Sequence, residues 1–263
     1  MSLSQLPMIH PDRELTGFRP IKALKHFGKL VADKEDTSQV FHITEALKGG
    51  AYIREAERFI RSEAGQALLE KNEDLAAALD DHDRWTDCAP NSLAQHYIRF
   101  MRREGLSAAG LVAESHRFKP LSERHEDLHE WYAARTRDTH DLFHILSGYG
   151  RDALGELCLL GFSYQQIYSN GMLFIAYMGT RQLRKEVGHD VPVFAALREG
   201  RRNGRAAAKI VQTDLLSMLH EDIDVVRDRL HIAPPTIYRN CLRQIETACC
   251  GASGPLLGNK QAA

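Results

Sequence analysis

Apolar residues recur every three or four positions along most of the chain, the spacing that lines one face of a helix. No stretch shows the sustained alternation, bounded by Asn-Gly or Asp-Gly, that announces hairpins. The pattern predicts a nearly all-α protein. A first helix starts at Pro20, which a first turn tolerates, and sets Ile21, Leu24, Phe27 and Val31 along one stripe. Val40, Ile43 and Leu47 repeat the pattern up to Gly49-Gly50. Ile53, Ala56, Phe59 and Ile60 form a third stripe ahead of a polar region around Asp80 to Asp87. Ser92 is suited to N-cap a helix carrying Leu93, Tyr97, Ile98 and Met101.

The pattern weakens from Leu111 to Glu123, where Pro120 marks a loop, and returns from about His125 through Leu146. Gly148 and Gly150 punctuate it. Further helices are expected over 152–185, interrupted at Asn170-Gly171, over 206–219 and over 222–230, with a short one after Pro234-Pro235 through Ile245. No fixed-period repeat and no dividing linker stands out. The expectation is one multi-helix domain over residues 16–248 between a flexible N-terminus, 1–15, and a flexible tail, 249–263.

Composition narrows the function classes. The 263 residues are 43% hydrophobic, enough for a core, and 34 Lys plus Arg against 35 Asp plus Glu leave a net charge of −1. No global field draws the chain onto nucleic acid. Five cysteines, none in a CxxC pair, do not make a disulfide framework and fit a reducing compartment. The first residues carry neither a secretory h-region nor an Arg-rich presequence. A cytoplasmic protein of bacterial source is expected on that basis, or one on the matrix side of the mitochondrial inner membrane if eukaryotic. The apolar stretch from Leu154 to Met178 is interrupted by Glu156, Gln165, Gln166, Ser169 and Asn170, so membrane contact is expected to be peripheral.

Candidate chemistry lies between residues 125 and 156. Two patterns, His125-Glu126-Asp127-Leu128-His129 and His140-Asp141-Leu142-Phe143-His144, each put two imidazoles four residues apart, close enough on a helix to share a metal. The first matches HExxH, in which Glu126 would be the general base of a zinc protease. Its setting is rich in charge, and an exposed helical face accounts for it more simply. The second is flanked by Leu142, Phe143, Ile145 and Leu146 and faces an apolar interior. There the imidazoles either hydrogen-bond to backbone and Asp141 or share a cation. Glu156 favours the cation. Gly148 and Gly150 permit a turn and Asp152 an N-cap, so an antiparallel helical hairpin would bring residues 144 and 156 to one level. His140, Asp141, His144 and Glu156 then form a candidate metal set of two nitrogens and two carboxylates.

HDxxH followed, after eleven intervening residues, by Glu156 resembles the pattern of the ubiquinone biosynthesis family Coq4. Arg137-Asp138-Thr139 and Leu154-Gly155-Glu156-Leu157 resemble its approach and exit. Asp36-Thr37-Ser38-Gln39-Val40, Ser92-Leu93-Ala94-Gln95-His96-Tyr97 and Val226-Arg227-Asp228-Arg229-Leu230-His231-Ile232-Ala233-Pro234 resemble further landmarks between residues 20 and 235. Two departures are the segment Asp87-Cys88-Ala89-Pro90-Asn91, where a glycine-containing loop is usual, and His231, where glycine is usual. The resemblance implies a helical protein, peripheral on an inner membrane, that binds a polyprenylated hydroxybenzoate-type precursor of coenzyme Q and meets other ubiquinone biosynthesis proteins. It implies either an enzyme, a lyase-like metal-dependent C1 oxidative decarboxylase, or a non-catalytic lipid-binding scaffold organising such enzymes. Zinc is the metal it implies first, with iron, manganese and magnesium as alternatives, and a homodimer is compatible with it.

Three lesser features complete the reading. Arg198, Arg201, Arg202, Arg205 and Lys209 around Gly200 and Gly204 suggest a solvated turn, or else contact with anionic headgroups. Met172 to Met178 reads as core, with a prenyl channel as the alternative. Cys249 and Cys250 read as tail thiols.

Overall fold

The computed structural model describes residues 3–13, 17–33, 36, 38–119 and 124–251. Helices account for almost all regular structure there, and among the described residues the one β feature is an isolated antiparallel bridge between Ser92 and Asp222. The Pro120 loop and the tail beyond residue 251 lie outside the described residues, as do the side chains of Cys249 and Cys250.

The N-terminal half is built from short helices: α1 (Pro20–Ala32), α2 (Ser38–Ala46), α3 (Gly50–Ile60), α4 (Glu63–Lys71), α5 (Leu75–Asp80), α6 (Leu93–Glu104) and α7 (Ala108–Phe118). The Ser92 cap forms as expected, its hydroxyl accepting from Gln95 N at 3.2 Å. The 125–146 pattern is two helices, α8 (Leu128–Asp138) and α9 (His140–Ser147), divided at Thr139. Then follow α10 (Ala153–Ile167), α11 (Asn170–Val187), α12 (Val193–Ala206), α13 (Ile223–Arg229) and α14 (Thr236–Gly251). The stretch expected over 152–185 is thus broken just ahead of Asn170, where Tyr168 takes a left-handed φ of 56°.

Helix α10 sits at the centre of the main core. Its Leu154, Leu157, Cys158, Leu159 and Phe162 are buried together with Leu142, Phe143 and Leu146 of α9 and Val193 and Ala196 of α12. A smaller core, made of Ala23, Phe27, Ile43, Ala46, Leu47 and Ile175, joins α1, α2 and α11.

Two sequence expectations need correcting here. The basic segment around Gly200 and Gly204 is not a solvated turn but the C-terminal part of α12. A Cβ at Gly200 would sit 2.5 Å from the Cys158 carbonyl oxygen, and one at Gly204 would strike that of Phe162. Both glycines therefore let α12 lie directly on the α10 backbone. Its outer face carries Arg198, Arg202 and Arg205, which gave the segment its loop-like composition. The helix expected over 206–219 is absent. α12 ends at Ala206, and only 3₁₀ turns at Ile210–Gln212 and Leu216–Met218 follow. Lys209 there donates to the carbonyls of Gln165 and Gln166 at 2.7 and 2.8 Å, satisfying the end of α10.

Candidate metal centre

The centre is built at the junction of α9 and α10. His140 and His144, one helical turn apart on α9, have ring centroids 5.0 Å apart. Gly148 ends α9 in the left-handed region at φ 75°, and Asp152 caps α10 by accepting from Leu154 N at 3.1 Å and Gly155 N at 3.0 Å. That places Glu156 in the first turn of α10. Gly155 is needed because the turn is tight: a Cβ there would run into the Gly150 carbonyl oxygen.

The turn between them is held from outside. Tyr238 of α14 donates its hydroxyl hydrogen to Asp152 and accepts from Gly150 N at 3.1 Å. Buried Glu199 of α12 accepts from Ile237 N and Tyr238 N at 2.9 and 3.0 Å, which fixes the start of α14. Arg227 of α13 donates to the Leu146 and Ile145 carbonyls at 3.1 and 2.9 Å, occupying acceptors at the end of α9.

One donor atom from each of His140, His144 and Glu156 falls within 4.8 Å of the other two. His144 has no exposed side-chain surface, whereas His140 and Glu156 are 37% and 36% exposed, so the group opens to solvent on one side. The His144 ring is oriented by its own backbone: Nδ1 lies 2.9 Å from the Tyr149 carbonyl oxygen, an acceptor only, so this nitrogen carries the hydrogen. Nε2 then presents a lone pair. It is buried without a hydrogen-bond partner and lies 3.5 Å from Glu156 Oε1. Burial and the neighbouring His140 drive the His144 pKa down to about 3, so the ring stays neutral at ordinary pH. A lone pair facing a carboxylate is unfavourable unless a proton or a metal cation lies between them.

The other groups shift as well. Burial works against a charged His140, but its contact with Asp141 and the charge of Glu156 outweigh burial and raise its pKa. Glu156 is shifted upward by burial, which exceeds the opposing pull of His140 and Arg151. For Asp141 burial is overcome by His140 and His144, and its pKa falls.

Asp141 stands apart from the other three residues expected as ligands. It is buried, and its Oδ1 lies 3.4 Å from His140 Nδ1, the place of a carboxylate that orients a ligating imidazole. The first histidine pair does not assemble at all. Helix α8 starts at Leu128, so His125 and Glu126 precede it. His125 stacks on His10 at 5.0 Å, while His129 is buried against Tyr52. Asp127 instead caps α8 and is clasped by Arg13.

Three neighbours were not singled out in the sequence. Phe100 of α6 stacks on His144 at 5.7 Å between ring centroids, Arg151 Nε reaches to 3.9 Å from Glu156, and its Nη1 lies 3.6 Å from Glu104. Phe100 reaches the centre only through the packing of α6 on α9, which no local pattern encodes. Arg151, inside the punctuating turn, was the one with a local signal. As a whole, two imidazole nitrogens and a carboxylate, one side dry and one side open, form a donor set able to hold a divalent cation with positions left for a substrate.

Residues 27–236 match the family described as Coenzyme Q (ubiquinone) biosynthesis protein Coq4. The chain is also 22% identical over 215 residues to "Ubiquinone biosynthesis protein COQ4, mitochondrial" of Lachancea thermotolerans, a match covering 80% of this chain and 62% of that relative. It therefore spans less than two thirds of that relative's length. Among solved structures, it resembles a Nostoc punctiforme PCC 73102 protein assigned to ubiquinone biosynthesis. The TM-score is 0.60 and the identity 16%, with 82% of this chain and 99% of that one covered. At that identity the likeness concerns the fold.

Proposed function

Since the chain belongs to the Coq4 family of coenzyme Q (ubiquinone) biosynthesis proteins, we propose that it binds a polyprenylated hydroxybenzoate-type precursor and replaces the ring C1 carboxyl with a hydroxyl at a metal centre. His140, His144 and Glu156 would hold a divalent cation, zinc first and iron, manganese or magnesium as alternatives. Asp141 braces His140 and adds a second negative charge. The observation that carries this reading is the buried, unpartnered Nε2 of His144 beside Glu156.

A bound divalent cation supplies an electrophilic centre for the precursor carboxylate and for the charge that develops as carbon dioxide leaves. The chain's own groups prepare the site. Burial keeps His144 neutral and the Tyr149 carbonyl fixes its tautomer. Phe100 covers one face of that ring and excludes water. Arg151, 39% exposed beside Glu156, offers a guanidinium to an incoming aromatic carboxylate. The ring loses carbon dioxide and gains a hydroxyl, a two-electron oxidation in which water is the proposed oxygen source and dioxygen the proposed acceptor, released as hydrogen peroxide. The greasy precursor places the working protein at a membrane face. Among the described residues no helix is long and apolar enough to cross a membrane, in keeping with a peripheral position beside other ubiquinone biosynthesis proteins.

The test is turnover by the purified, metal-loaded chain given precursor and dioxygen, followed by mass spectrometry. The expected product has lost carbon dioxide and gained oxygen, and a Glu156→Gln variant that folds normally should not form it. Normal turnover in that variant, or none in the loaded wild type, contradicts the proposal, and the second outcome favours a scaffold.

A further inference from the structure

Helix α1 does not bury the stripe that its sequence pattern marks. Ala23 and Phe27 face the small core, with Leu30 partly buried beside them. Ile21, Leu24 and Val31 point outward at 85%, 55% and 37% exposure, and Phe18, just before the helix, is 64% exposed. These are four of the six large hydrophobic side chains that stand exposed among the described residues. Positions 21, 24, 28 and 31 share the spacing of one helical stripe. Positions 22, 25 and 29, all lysine, repeat that spacing one residue later, about 100° around the helix. No acidic residue occurs between Arg19 and Ala32. A protein with a net charge of −1 thus carries one helix whose outer side is an apolar strip lined by a row of exposed cations.

We propose that this face of α1 is the membrane-docking element and that its partner is an anionic bilayer surface. The apolar strip suits the acyl boundary. The lysine stems can lie along that boundary while their ammonium groups reach the headgroup phosphates. A protein partner would need a matching acidic groove, whereas a bilayer needs only the strip and the row. The inference rests on the peripheral placement proposed above but not on the metal chemistry. Of the α12 arginines that composition suggested as a headgroup contact, Arg201 is engaged with the Tyr177 hydroxyl at 2.6 Å.

The test is flotation of the full chain with vesicles of phosphatidylcholine alone and of equimolar phosphatidylcholine and phosphatidylglycerol. The wild type should float with the anionic vesicles, and less so at high salt. An Ile21→Asp/Leu24→Asp variant, altered only at exposed positions, should lose at least about tenfold in partitioning while keeping the wild-type circular dichroism and zinc content. Equal flotation of variant and wild type overturns the assignment to α1 and leaves peripheral placement standing. Failure of the wild type to float overturns both. A wild-type dimer that the variant turns into a monomer, with no flotation by either, marks the face as an interface between copies.

Discussion

The two nitrogens of His144 have different tasks, one tied to the Tyr149 carbonyl and the other left open beside Glu156. Replacing Glu156 by Gln should weaken zinc binding by at least about 100-fold in a competition titration, and Asp141→Asn by about 10- to 100-fold, the usual cost of losing a ligand's orienting partner. An unchanged affinity in Glu156→Gln would mean that the ion, if any, sits elsewhere. Buried His129 provides a separate check. It is 1% exposed, neither nitrogen has a partner, and burial lowers its pKa from 6.5 to about 4. Between those values the unfolded chain takes up a proton that the folded chain refuses. Stability should therefore fall with decreasing pH across that window, by roughly 1.4 kcal/mol per unit from this residue. His129→Leu should flatten that slope and leave stability at pH 8 unchanged or about 1 kcal/mol higher; urea melts at several pH values measure both. His231 holds a left-handed φ of 53° where glycine is usual in the resembled motif, so His231→Gly should gain about 0.5–1 kcal/mol.

At the level of helices, the site depends on small residues that bring backbones together. Gly155→Ala should lower both thermal stability and zinc affinity, because the added methyl group meets the rigid Gly150 carbonyl in the turn that aims Glu156. Gly200→Ala meets the Cys158 carbonyl and should cost about 1–3 kcal/mol, with a much smaller effect on the centre. Equal zinc affinity in the two variants would contradict this division. These contacts also show what the sequence made legible. Ser92, Gly148 and Asp152 state their capping roles locally, and the spacing of Gly148 and Asp152 marked the break between α9 and α10. α12 was not readable, because glycines that serve close packing and arginines on an outer face have the composition of a loop. The α1 stripe misled for the opposite reason: its periodicity is real, but the apolar residues it marks face outward, and only tertiary packing distinguishes a core from a docking face.

For the whole molecule, the centre joins parts of the chain that are far apart in sequence. α6 supplies Phe100, α9 and α10 the donors, α13 the Arg227 clasp and α14 the Tyr238 clamp. A ligand bound there should stabilise the folded chain globally. Zinc at about 100 times its dissociation constant is worth about 2.7 kcal/mol, or roughly 5–10 °C in melting temperature. Calorimetry should show that rise in the wild type, its reversal by a chelator, and its near absence in Glu156→Gln. The most direct measurement is a crystal structure of the zinc-loaded protein with anomalous data collected at the zinc edge. The expected map shows one strong peak bonded to His144 Nε2, to His140 and to Glu156. A peak only at other residues, or no peak from protein shown to carry stoichiometric zinc in solution, would contradict it.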